Sequence, residues 1–463
     1  MTIQRLAAAL SFALLLPACD FDVPDLNRPG LDQILTNPTP ATVESAATGL
    51  LAGARADIAE RIGYVSELGI LGRESYVLSG SDDRFVTQLL GPPLDPGTSN
   101  FGGNFWVAPY ANIRNANLVI DALPKVTTGL SDGEKASIIG FAKTMMALDF
   151  LKIINTRDTN GAAIDVDLPI GQLAPLVDKA TVFKRIADLL DEGKAQLAKA
   201  GTTSFPFPLG NGFTSFATPA DFLKFNRALA ARVAVYRGQY TAALAALDES
   251  FLDTNAPLSL GAYHSFGIGS GDQQDDLNTT DIFVHPSIVT DAEPLAPAPA
   301  GCSGLSCLDN RVQAKVTPFL DASGTAVTQT LYGLTSGYNF KLYPNKDSPV
   351  PIIRNEELIL LRAEANIGLV TAGSSSGSLG EAKSDLNFIR TTSGGIAPRG
   401  GLNAGNVLDE LLKQKRYSLL FEGGHRWIDA RRYGKLGTLP IDVPGQNVQP
   451  NFPIPTPETD ARH

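Results

Sequence analysis

The chain has 463 residues, 43% of them hydrophobic, with 48 acidic against 38 basic side chains and a formal charge of −10. That balance argues against nucleic acid as the principal partner, because counterion release needs clustered Lys and Arg. The apolar content is ample for a large core and two lobes.

Residues 1–18 hold one Arg, no acid and an apolar run from Leu6 to Leu16, too short for a lasting transmembrane helix. They read as a cleaved export signal. Leu16-Pro17-Ala18-Cys19 resembles the bacterial lipobox, which makes Cys19 the expected lipidation site and first mature residue. Removing one basic residue leaves 38 − 1 = 37 basic and 48 acidic groups, a charge of −11. Residues 19–40, with Asp20, Asp22, Pro24, Asp25 and Pro29, form an acidic leader without helical period. Residues 41–463 are expected as one domain.

Amphipathic periodicity predicts helices near 41–62, 105–123, 131–156, 181–199, 219–250, 355–369, 379–391 and 405–434. Ser131 with Glu134 spells a capping box, and Thr181 is a second N-cap candidate. Strand-like alternation is scarce, so the fold class is mainly α. Small residues from Ala228 to Ala234, the turn Arg237-Gly238-Gln239-Tyr240 and Ala242–Leu247 resemble one tetratricopeptide helix pair, and 357–366 with 382–390 a second. No strict 34-residue period holds. Two irregular stretches, 70–104 and 251–353, read as long functional loops and ligand-binding insertions, not core elements. Cys302 and Cys307 sit at the tip of the second, and an exported protein favours a local disulfide between them.

The run from Leu412 to Arg432 concentrates charge: helical spacing would set Glu422, Arg426, Asp429 and Arg432 on one face, with Leu412, Leu419, Leu420 and Trp427 apolar. In order along the chain stand Arg354-Asn355-Glu356-Glu357-Leu358, Arg362-Ala363-Glu364-Ala365, Leu386-Asn387-Phe388-Ile389-Arg390, Phe421-Glu422-Gly423 through Arg432, and Phe452-Pro453-Ile454-Pro455-Thr456-Pro457-Glu458. Together with the lipobox, this order resembles the SusD/RagB family of outer-membrane nutrient-binding lipoproteins. The resemblance implies a tetratricopeptide-like helical scaffold with loops gathered on one side. It further implies a lipid anchor in the outer membrane facing the exterior, capture of glycans or oligosaccharides, and a SusC-like TonB-dependent transporter as partner. It makes Glu364, Arg390, Glu422, Arg426, Trp427 and Asp429 structural, and it implies no enzyme activity and no cofactor.

Ligand residues do not transfer by this resemblance and are chosen on chemistry. Sugar CH faces stack on aromatic rings while amides, carboxylates and guanidinium groups take the hydroxyls. Tyr76, Arg84, Asn100, Phe101, Trp106, Tyr263 and Tyr338, in or beside the two loop stretches, are the candidates, with Tyr332 nearby and burial beside Tyr110 an equal alternative for Trp106.

Other signals carry less. Gly373-Ser374-Ser375-Ser376-Gly377 spells a nucleophile elbow but lies between helices. His264, His285, His425 and His463 have no metal spacing, and Asp158, Asn160, Asp165 and Asp167 lack EF-hand order, so a solvated acidic loop is expected there. Two further readings stay open: a tetratricopeptide adaptor that binds peptides, and an exported glycosidase whose carboxylate pair converges from distant segments.

Overall fold

The computed structural model describes residues 34, 36–98, 100–169 and 171–462. The signal segment, Cys19 and His463 lie outside them. Ile34, within the stretch expected as leader, already packs into the helical core.

Helix α1 (Pro40–Arg55) starts where Thr39 and Thr42 cap one another and Pro40 presets the first turn. After α2 (Tyr64–Leu71) and α3 (Val107–Ala122) comes α4 (Asp132–Arg157), opened by the expected Ser131–Glu134 capping box. From Ala136 onward α4 is buried on nearly every side, so it is the axis against which α1, α3 and α5 (Lys179–Ala200) pack. Glycines set the α4–α5 spacing: a Cβ on Gly140 would stand 2.9 Å from the Gly193 carbonyl oxygen. The cap of α5 is Asp178, whose carboxylate accepts from the Thr181 amide at 2.8 Å; Thr181, expected as the cap, lies inside the helix.

The segment 219–250 is the expected pair, α6 (Pro219–Tyr236) and α7 (Tyr240–Asp248), reversed at Gly238 with φ +69°. Helices α8 (Asn355–Thr371) and α9 (Leu379–Phe388) form a second pair, joined by Arg362–Asp385 at 2.6 Å. The Gly373–Gly377 motif is the connector between them.

The expected helix over 405–434 is broken into α10 (Val407–Ser418) and α11 (His425–Arg432). Phe421, Gly423 and Gly424 all have positive φ between them, a path closed to a helix, and a Cβ on Gly424 would meet the Leu68 side chain at 2.3 Å.

The two irregular stretches are not all loop. They supply β1 (Ser75–Val77), β2 (Gly261–His264), β3 (Ile282–Val284), β4 (Val316–Pro318), β5 (Tyr338–Phe340) and β6 (Val350–Arg354). An antiparallel sheet runs β1-β3-β5-β4, with Tyr76 opposite Phe283 and Phe283 opposite Asn339, while β2 pairs with β6. Phe283, Val284, Val316, Leu334 and Tyr343 join Phe85, Phe101, Tyr417 and Trp427 in a core separate from the helical one. The expectation that 70–104 and 251–353 hold no core element is therefore corrected. Their strands are only three to five residues long, and β1 and β3 are buried at every position, so no alternation marks them. No helix among the described residues is long and apolar enough to cross a membrane.

Candidate functional site

Two places concentrate chemistry: the charged signature and an open groove. In the signature, the broken helix redistributes the expected ion pairs. Asp429 does meet Arg432 at 2.7 Å, but Glu422 turns inward to Lys315 (2.7 Å) and Arg354 (2.8 Å), away from Arg426. Glu364 accepts from Lys415 (2.8 Å), Arg432 (2.9 Å) and the Tyr433 hydroxyl (2.7 Å). Arg390 bridges Glu293 and Glu410, each at 2.6 Å. Trp427 is fully buried and donates to the Gln449 carbonyl at 2.8 Å. Burial alone would raise the Glu364 carboxyl, yet Lys415 and Arg432 outweigh it and hold the group near 2. Arg354 and Lys315 likewise overcome burial and keep Glu422 below the usual carboxylate range. These acids join α8, β6, α10 and α11. Arg426 differs, since its hydrogen bond goes to the Arg73 carbonyl at 2.7 Å and no carboxylate among the described residues forms an ion pair with it.

The groove, of ≈ 650 Å³, lies where the loop 95–106, the turn after α1 and the C-terminal tail meet. Its walls include Asp57, Glu60, Arg61, Ile62, Thr98, Asn100, Asn104, Trp106, Val107, Pro455, Pro457 and Glu458. The loop is held from below. Arg157, buried at the end of α4, donates to the Asn104 carbonyl at 2.6 Å and packs against Trp106 and Phe452, 5.3 and 5.6 Å from their ring centres. Asn104 donates in turn to Glu67 at 2.7 Å. Burial pushes the Glu67 carboxyl up to about 8 against the pull of Asn104 and Arg157. A Cβ at Gly102 would stand 1.9 Å from the Asp95 carbonyl oxygen, so the loop closes only with glycine there.

Trp106 sits edge-on to Tyr110 at 4.8 Å and donates to Glu458 at 3.3 Å, which ties the tail to the groove. It is 5% exposed, while Val107 beside it is 76% exposed. Of the acids, Glu458 pairs with Arg462 and Asp276 with Lys346, whereas Asp57 and Glu60 form no ion pair among the described residues. The groove thus combines the edge of the largely buried Trp106 and the aliphatic Ile62 and Val107 with amide and carboxylate groups in one lining, a chemistry suited to a polyhydroxylated ligand.

Of the seven ligand candidates, Asn100 and Trp106 line this groove. Tyr76 and Phe101 are 2% and 0% exposed and fill the second core, Tyr76 against His285 and Phe101 against Phe85. Arg84 pairs with Asp82 at 2.9 Å and covers the Phe101 ring. Tyr263 stands on β2 beside a different, smaller hollow of ≈ 190 Å³, and Tyr338 is half-buried on β5 opposite Pro318. Tyr332 donates to the Ser79 carbonyl at 3.1 Å. Asp57, Glu60 and Arg61 are not among the sequence-based candidates, and the tail 452–458 enters only through the family resemblance; tertiary folding brings them together at Trp106.

Cys302 and Cys307 form a disulfide with Cα atoms 5.3 Å apart. Asp158, expected in a solvated loop, is buried and pairs with Arg431 at 3.2 Å and with Lys179. Among the described residues no three His, Cys, Asp or Glu side chains converge as a metal-ligand set.

The architecture is a helical scaffold with a small antiparallel sheet and a loop-built groove. No protein-family model and no curated protein matches the chain. Solved structures do match. A SusD-like carbohydrate-binding protein from Bacteroides fragilis is similar with a TM-score of 0.67 at 13% identity, over 86% of this chain and 87% of the other. The surface glycan-binding protein A from Bacteroides thetaiotaomicron, solved with laminarihexaose, is similar with a TM-score of 0.64 at 16% identity, over 92% and 98%. A laminarin-binding SusD-like protein is similar with a TM-score of 0.59 at 18% identity, over 91% and 98%. The chain has the SusD-like fold.

Proposed function

We propose that this protein is a non-enzymatic glycan-binding lipoprotein that captures oligosaccharides at the Trp106 groove for uptake. The observation that carries the reading is the groove itself, ≈ 650 Å³ on a SusD-like fold, with an aromatic edge at Trp106 and hydrogen-bonding groups at Asn100, Asp57 and Glu60. Two structural neighbours are described as binding laminarin or laminarihexaose, which makes neutral β-glucans the first ligands to test. The signature acids Glu364 and Glu422 are locked in ion pairs and form no part of the groove lining, so they serve the scaffold in this reading.

In this reading Cys19 carries the lipid, residues 19–40 tether the protein to the outer membrane, and 41–463 act as one unit. The pairs α6–α7 and α8–α9 serve as tetratricopeptide-like units of the scaffold. A SusC-like TonB-dependent transporter receives the ligand. The test is affinity electrophoresis through gels containing laminarin or other neutral glycans, with detergent pull-down from the envelope. Retardation that Asn100→Ala abolishes, together with a co-purifying barrel, supports the proposal. Unretarded migration in every glycan, with soluble envelope proteins as the only partners, favours the peptide adaptor instead.

A further inference from the structure

A second hollow, of ≈ 440 Å³, opens beside α10 and α11 and shares no lining residue with the groove. Its lining holds five basic groups (Lys413, Lys415, Arg416, Arg426, Lys435) and three acidic ones (Asp291, Asp409, Asp429), a local charge of 5 − 3 = +2 in a chain of −10. Four of the five cations have counterions. Lys413 pairs with Glu293 (2.9 Å), Lys435 with Asp409 (2.8 Å), Arg416 with Asp291 (2.8 Å), and Lys415 with Asp429 (2.6 Å).

Arg426 has none among the described residues; its one hydrogen bond, from Nη1, goes to the Arg73 carbonyl. Arg416 Nε, in the same wall, is buried without a hydrogen-bond partner. Burial, and after it the charge of Arg416, pushes the Arg426 guanidinium down to about 9, the mark of a cation whose neighbours do not compensate it. Glu74 and Asp291 act on it through space, but neither forms an ion pair with it among the described residues. Two neighbouring guanidinium groups with unfilled donors, set in a concavity within the usual small-ligand size range, match the planar fork that carboxylates accept.

We propose that this hollow is a binding site for a small carboxylate of sugar-acid size, gripped by Arg426 with Arg416 beside it. The proposal stands apart from the glycan reading of the groove. D-glucuronate serves as the probe and glucose as its neutral counterpart, titrated calorimetrically into the full chain at low salt. Glucuronate is expected to saturate one site that added salt weakens, and glucose is not expected to compete for it. Arg426→Gln is expected to weaken glucuronate about tenfold or more, the share of one charge-assisted hydrogen bond, while Asn100→Ala in the groove leaves it within about twofold. Absence of saturable glucuronate binding, an unchanged affinity in Arg426→Gln, or loss of binding in Asn100→Ala overturns it. If melting shows that Arg426→Gln does not fold, Lys435→Gln at the rim replaces it, with a few-fold weakening expected and no change contradicting the site.

Discussion

Arg354 grips Glu422 with two hydrogen bonds, Nε to Oε2 at 2.8 Å and Nη2 to Oε1 at 2.9 Å, and so fastens β6 to the kinked link between α10 and α11. Lys315, next to β4, completes the clamp at 2.7 Å, so one buried carboxylate joins the small sheet, β6 and the C-terminal helices. Removing it would leave buried Lys315 without a carboxylate and Arg354 with Glu356 alone. Glu422→Ala is expected to cost about 3–5 kcal/mol in denaturant unfolding, the range for a broken buried pair. A loss below about 1 kcal/mol would mean that the clamp is not structural.

The groove floor makes a pH-dependent prediction. Glu67 keeps its proton in the folded protein up to about 8, while the unfolded chain releases it near the ordinary glutamate value of 4.5. A carboxyl raised by folding favours the folded state at low pH, and that advantage is lost as pH rises from about 4.5 to 8. Glu67→Gln cannot ionise. Its stability relative to the parent is therefore expected to climb across that window, and melting curves at pH 5 and pH 8 check the difference. A constant offset would place the Glu67 carboxyl at an ordinary value.

Gly102 tests whether the loop path shapes the groove. Because its Cβ would overlap the Asp95 carbonyl, Gly102→Ala must shift the loop that carries Asn100 and Trp106. Glycan affinity is expected to fall about tenfold or more, and unfolding free energy by about 1–3 kcal/mol, because the loop anchors the buried Phe101 and Phe105. Equal affinity in the two proteins would show that ligand does not depend on this path.

The helices were legible because their apolar periods run over many turns: α4, α5 and α8 stand within about two residues of their expected bounds. The break at 419–424 was spelled by Gly423-Gly424, but the charge spacing on either side also fits a continuous helix, and only the contact with Leu68 decides between them. Three-residue strands leave no periodic trace, so Phe283 and Val316 read as loop although they build a core. Trp106 and Asn100, chosen on side-chain chemistry, line the groove. Tyr76 and Phe101 were chosen on the same grounds, and nothing local reveals that one pairs within a sheet and the other packs on Phe85.

The most direct measurement is a tryptophan-fluorescence titration with a panel of neutral oligosaccharides, laminari-oligosaccharides first. The chain has two tryptophans, and only Trp106 lines the groove, so a ligand-linked change there reports chiefly on Trp106. A saturable change is expected with at least one oligosaccharide, absent from Trp106→Phe and retained by Trp427→Phe. No saturable change across the panel, or a change that survives Trp106→Phe, would contradict glycan binding at the groove.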